Sequence, residues 1–119
     1  MDEEMLSFRV KTQIDYDSLL IAHKDDQSFI DAIVILIEEV LVSGSGDIQI
    51  ASSMMPMNVV KDRFKKIRYS HIEYVLDAFH ESHTKIKNIK KYLLAMLFNA
   101  PATIDGYYEA AVNYNMTSM

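Results

Sequence analysis

The amino-acid sequence predicts an all-α domain, a compact bundle of five or six helices with at most one short extended segment near residues 47–51. Three observations carry this. Apolar residues recur at helical spacing along most of the chain. Alternation of strand period survives for only two periods, at Asp47–Ala51. The 119 residues are half hydrophobic, enough for one core, and contain no repeat or linker that would divide them.

The elements follow in order. A first short helix is expected over Tyr16–Ala22. Asp25, Asp26 or Ser28 caps a second, in which Phe29, Ile30, Ile33, Val34, Ile37, Val40 and Leu41 leave only one polar strip, so it belongs at the centre of the fold. Ser43, Gly44, Ser45 and Gly46 end it, glycine tolerating the left-handed cap conformation. Asp47–Ala51 reads either as a short strand or as an extended connector. Pro56 suits the first turn of a third helix, whose buried face is Val60, Phe64 and Ile67.

Ser70 and Glu73 form a capping box ahead of Ile72, Val75, Leu76 and Phe79. Thr84 caps the next helix, with Ile86, Ile89, Leu93, Met96 and Leu97 along one side. Pro101 then stops that helix, because proline lacks a backbone donor and pushes Ala100 out of the helical region. Thr103 caps a final helix from about Ile104 to Tyr114, with Asp105 in its first turn, where the dipole favours negative charge.

Composition narrows the function. With no cysteine there is no disulfide framework, thiol nucleophile or cysteine metal site. The acidic start is not a secretory signal, and the longest apolar stretch, Phe29–Val42, is short for a bilayer and carries Asp31, Glu38 and Glu39. A cytoplasmic protein with no membrane partner is expected. The net charge of −5 conceals an asymmetry: residues 1–50 hold 3 basic and 11 acidic side chains, whereas residues 51–91 hold 9 basic and 4 acidic. The middle third can therefore present a basic surface on an acidic domain.

Catalytic chemistry finds no support. His80 and His83, at i, i+3, could share a helix face, but they lack a third ligand and suit a helix C-terminus as histidines. The adjacent carboxylates Glu38–Glu39 and Asp25–Asp26 diverge on a helix, and no phosphate-binding loop is present. The expectation is a non-enzyme without cofactor or metal.

Two surfaces stand out. Lys61, Lys65 and Arg68 fall at i, i+4, i+7 with Tyr69 beside them, a stripe that reads as a solvated face or as a weak, non-specific nucleic-acid contact. Tyr69 or Tyr74 would do the stacking. Leu94 and Phe98 continue along the side that carries Lys87 and Lys91. Either the last helix folds back over them, the arrangement Pro101 favours, or they form an apolar patch edged by lysines that binds a protein. The tyrosines Tyr107, Tyr108 and Tyr114 spread over much of the last helix, too widely for one partner surface.

Asn99, Ala100, Pro101, Thr103, Ile104, Asp105, Tyr107 and Tyr108, followed by Val112, Asn113 and Met116, resemble the distal end of the C-terminal domain of plasmid-type replication initiator protein A from low-GC Gram-positive bacteria. The likeness continues through Val59–Lys61, Arg63, Phe64, His71–Val75, Thr84, Lys85 and Asn88–Lys90, and more faintly at Ile14–Asp17. It implies a helical domain that recruits host replication machinery, primase or a helicase or its loader, to a plasmid or mobile-element origin. It also implies a winged-helix DNA-binding domain elsewhere, which residues 1–119 do not resemble. Residues 71–99 are fainter in likeness to the C-terminal module of the primosomal protein DnaD. There Tyr92, Leu93, Met96 and Leu97 match, but Ala100 stands where a tryptophan is expected. The missing ring and the acidic balance favour recruitment over an accessory nucleic-acid-binding role. An initiator oligomerisation domain is the remaining alternative.

Overall fold

In the computed structural model, residues 2–82 and 85–117 are described, with side chains described as far as Asp105. Six α-helices and a two-stranded antiparallel sheet make a mostly all-α globule. The order is α1 (Glu3–Ile14), α2 (Tyr16–Ala22), a 3₁₀ turn at Lys24–Asp26, α3 (Gln27–Val42), β1 (Asp47–Ile50), β2 (Ser53–Pro56), α4 (Met57–Phe64), α5 (Tyr69–Glu81) and α6 (Ile89–Thr117).

α1 precedes the first helix expected from sequence. Asp2 accepts from the Glu4 N–H at 3.0 Å, Glu3 and Glu4 occupy the first turn, and Leu6, Val10 and Ile14 are buried at i, i+4, i+8. It ends on Asp15, whose left-handed conformation (φ 55°) also launches α2. α3 is central, packing on α1, α2, α4 and α6, with Ile30, Ile33 and Ile37 fully buried. Its caps differ from expectation. Asp26 occupies the N-cap position without a side-chain cap bond, its carboxylate turned instead to His80 at 2.9 Å. At the C-terminus no glycine cap forms: Ser43 is extended and its hydroxyl donates to the Glu39 carbonyl, while Gly46 takes the positive φ of 116° later, just before β1.

The extended segment is a strand, and its partner is Ser53–Pro56, with Ile50 opposite Ser53 and Asp47 opposite Pro56. Ala51 makes the turn at φ 54°. An alanine there is unfavourable and sends no hairpin signal. α4 is shorter than expected. Val60, Phe64 and Ile67 are all fully buried, but Ile67 reaches the core from the turn after the helix.

The Ser70–Glu73 capping box does not form, because α5 begins earlier, at Tyr69. His71 takes the capping role: its Nδ1 accepts the Arg68 N–H at 2.8 Å. Glu73 pairs with His23 across to α2, at 2.9 Å. Thr84 and His83 lie outside the described residues. α6 starts later than expected, with Asn88 as its cap, the Asn88 Oδ1 accepting from the Lys91 N–H at 3.0 Å.

The largest correction concerns Pro101. It sits inside α6, which runs unbroken from Ile89 to Thr117, so there is no reversal and Thr103 caps nothing. Proline removes one helical donor and crowds the carbonyls of the preceding turn. Arg63 of α4 supplies a donor to that turn, its Nη1 lying 3.2 Å from the Phe98 carbonyl oxygen. Burial of Leu97, Phe98, Ala100 and Pro101 offsets the rest.

Candidate functional site

Leu94 and Phe98 do not form an exposed patch, and no folded-back helix covers them. They are 8% and 7% exposed, facing the interior where α6 packs on α3, α4, α5 and β1. The Arg63 guanidinium lies over the Phe98 ring, 4.2 Å from its centroid. α4 is thus the cover for Phe98. Lys87, in the bend before α6, and Lys91, in its first turn, are exposed as expected.

A different apolar surface accompanies these lysines. Ile89, expected in the core, is 50% exposed, and Ile35 on α3 is 55% exposed. With Ala32, Leu36 and Leu93 they line a shallow groove of about 180 Å³ between α3 and α6. Lys90 and Glu39 bridge its edge at 3.2 Å, a solvent-exposed pair of small energetic weight. The sequence signal is present for Ile35, which lies away from the buried face of α3, whereas Ile89 occupies the first position of α6.

The basic stripe divides. Since α4 ends at Phe64, Lys61, Lys65 and Arg68 share no helix face. Lys61 is half-buried beside a hollow lined by Gly44, Gly46 and Asn58. Lys65 and Arg68 instead stand on a cleft of about 800 Å³ along α1, opposite Met5, Phe8, Arg9, Thr12 and Gln13. Gln13 holds the wall together, its Nε2 donating to the Phe64 and Ile67 carbonyls at 2.9 Å each. The Arg68 guanidinium donates to the Lys65 and Ile67 carbonyls, which fixes the turn and lowers its availability to a phosphate. A further neighbouring hollow of about 470 Å³ joins Arg9, Gln13 and Lys65 to Leu41 and Val42.

Tyr69 and Tyr74 are half-buried against the core, so neither offers a free face for stacking on a base. Burial raises the Tyr69 phenol above its usual range, with Glu73 adding to the effect. The exposed aromatic near the cations is Phe8, 73% exposed beside Met5 at 64%. Phe8 lies on α1, ahead of the first helix expected from sequence.

The described histidines are all bound to carboxylates. His23 meets Glu73, His80 meets Asp26 and His71 meets Asp105, tying α5 to the α2 region and to α6. His71 is the buried one. Because its Nδ1 accepts the Arg68 N–H, the ring proton belongs on Nε2, and the imidazole donates to Asp105 Oδ1 at 3.2 Å as a neutral group. Among the described residues no cluster of three or more His, Cys, Asp or Glu could hold a metal, and no helix is long and apolar enough to cross a membrane. His83 and the side chains of Tyr107, Tyr108 and Tyr114 lie outside the described residues.

No curated protein and no solved structure matches the chain. Residues 3–119 match a family described as a family of unknown function, DUF6017, and the chain belongs to it.

Proposed function

We propose that this chain is a non-enzymatic domain of a replication initiator that recruits a host replication protein, primase or the helicase-loading machinery, to a plasmid or mobile-element origin in the cytoplasm. The resemblance of Asn99–Tyr108 and the upstream segments to the initiator C-terminal domain supports the biological role. The observation that carries the physical part is the groove between α3 and α6. Exposed Ile35 and Ile89 supply apolar area there, and Lys87, Lys90 and Lys91 cluster at the same end of α6. Lysines around an apolar centre steer and orient an acidic, amphipathic partner, while the buried apolar area supplies most of the affinity.

Nucleic-acid binding is the weaker reading. Lys61 is separated from Lys65 and Arg68, Tyr69 and Tyr74 are half-buried against the core, and the chain carries −5. Double-stranded DNA binding is expected to be weak, non-specific and mostly lost between low and physiological salt.

The test is a titration of purified primase, and separately of the helicase loader, with the Lys90→Glu/Lys91→Glu double variant. Both side chains are exposed, so folding should be unchanged. Affinity for the true partner should fall by about tenfold at low salt, chiefly through slower association. Unchanged affinity for a partner that binds the wild type removes this groove as the docking site.

A further inference from the structure

We propose that the outer face of α1 pairs with the same face of a second copy of this chain, the two helices lying antiparallel about a two-fold axis. This goes beyond the recruitment reading and uses a different surface.

The argument begins with what α1 leaves outside. Leu6, Val10 and Ile14 point into the core, so Met5, Phe8 and Thr12, at i, i+3, i+7, make the opposite stripe. Met5 and Phe8 are among the most exposed large apolar side chains of the protein. A 12-residue helix facing its copy buries little area, and an apolar centre is what such a small interface needs.

The flanks of that stripe decide the occupant. Asp2 and Arg9 lie along one flank, Glu4 and Lys11 along the other. On each the base follows the acid by two helical turns. Turning a second α1 antiparallel about a two-fold axis sets each flank against its own reversed copy. Asp2 of one copy then meets Arg9 of the other, and Glu4 meets Lys11, each match occurring twice. Met5 packs against Phe8 in the middle. A parallel pair would match only Glu4 with Arg9 and would align the helix dipoles unfavourably. Lys65 and Arg68, across the cleft from Arg9, extend the positive field that the incoming Asp2 enters. Among the described residues, the ion pairs within 4 Å leave out Asp2, Glu4, Arg9 and Lys11. A surface whose acids and bases exchange places under a two-fold rotation is complementary to itself.

Sedimentation equilibrium of the full chain over a concentration series tests this. The wild type should show a monomer–dimer equilibrium. Phe8→Asp should be monomeric throughout with an unchanged melting temperature, since Phe8 is largely outside the fold. Glu4→Lys and Lys11→Glu should each weaken association by about tenfold, because each change acts twice across the axis. Combining them should restore association to within about threefold of wild type, since the flank is again complementary with its signs reversed. Lys11 also covers the Tyr16 ring at 4.7 Å, so melting is measured alongside, and the rescue is read from association alone. A wild type that stays monomeric at every concentration, or a dimer that the double swap fails to rescue, overturns the proposal. Neither result bears on the α3–α6 groove, where the primase titration is read.

Discussion

The outer face of α1 and the first turns of α6 both expose apolar side chains among charges, yet the charges are arranged differently. On α1 the charges are mixed in sign and ordered along the axis, acids first and bases later, around Met5 and Phe8. On α6 they are all positive, Lys87, Lys90 and Lys91, beside Ile89 and Ile35. A face with ordered charges of both signs can satisfy itself by rotation. A face on which Lys87, Lys90 and Lys91 outnumber the single carboxylate of Glu39 keeps a positive excess that suits an acidic partner. The difference lies in the arrangement of charge rather than in apolar area, and it is what separates the two proposed surfaces.

The sharpest way to break the comparison is at Phe98, which the sequence places on the lysine side of its helix and the structure places in the core. Phe98→Ala should cost about 3–5 kcal/mol, because the ring is 7% exposed and lies under the Arg63 guanidinium. Chemical denaturation measures it. A loss below about 1 kcal/mol, with primase binding abolished, would return Phe98 to the surface and merge it with the α6 lysines.

That reversal shows what the sequence conveyed and what it could not. The helical class, α2, the central α3 and the buried face of Val60, Phe64 and Ile67 follow from spacing alone, since periodicity reports burial directly. α1 is less legible: Leu6, Val10 and Ile14 are in step, but apolar Met5 and Phe8 on the outer face blur the pattern. Pro101 was not legible. A proline stops a helix unless burial offsets the lost donor, and here Leu97, Phe98, Ala100 and Pro101 are all buried, with Arg63 donating to the Phe98 carbonyl beside the Leu97 carbonyl that Pro101 leaves. The basic stripe failed for a related reason: helical spacing persists in sequence past Phe64, but the turn at Lys65 ends the helix that would have aligned Lys61 with Arg68.

A smaller effect separates a structural histidine from a surface one. His71 is 3% exposed and holds the start of α5 by accepting the Arg68 N–H, while its Nε2 donates toward Asp105 of α6. His71→Leu should cost about 1–3 kcal/mol, the penalty of stranding that N–H without a partner. His80, exposed and paired with Asp26, should cost less than about 1 kcal/mol when changed to alanine. Equal losses at the two positions would show that the cap at α5 is not what His71 provides.

A modest effect tests how firmly α1 is tied to the core that displays it. Tyr16 donates its phenol to Asp31 of α3, and the ring supports Lys11 of α1. The Asp31 hydrogen bond raises the phenol above its ordinary value, with burial and the Asp31 charge adding to it. A raised value means that the folded state holds this proton more tightly than the unfolded chain. The stabilisation is therefore complete at neutral pH and is lost as pH climbs past about 10, where the unfolded phenol ionises. Tyr16→Phe removes the bond but keeps the ring beneath Lys11. It should cost about 1 kcal/mol at pH 7, and that cost should shrink above pH 10. Tyr69 and Tyr92, both raised chiefly by burial, add an alkaline loss common to the two proteins, so the difference between their stability curves isolates Tyr16. Self-association should be unaffected, because Lys11 keeps its aromatic support. A Tyr16→Phe chain that loses dimerisation at neutral pH would mean that the phenol hydroxyl, rather than the ring, orients the outer face of α1.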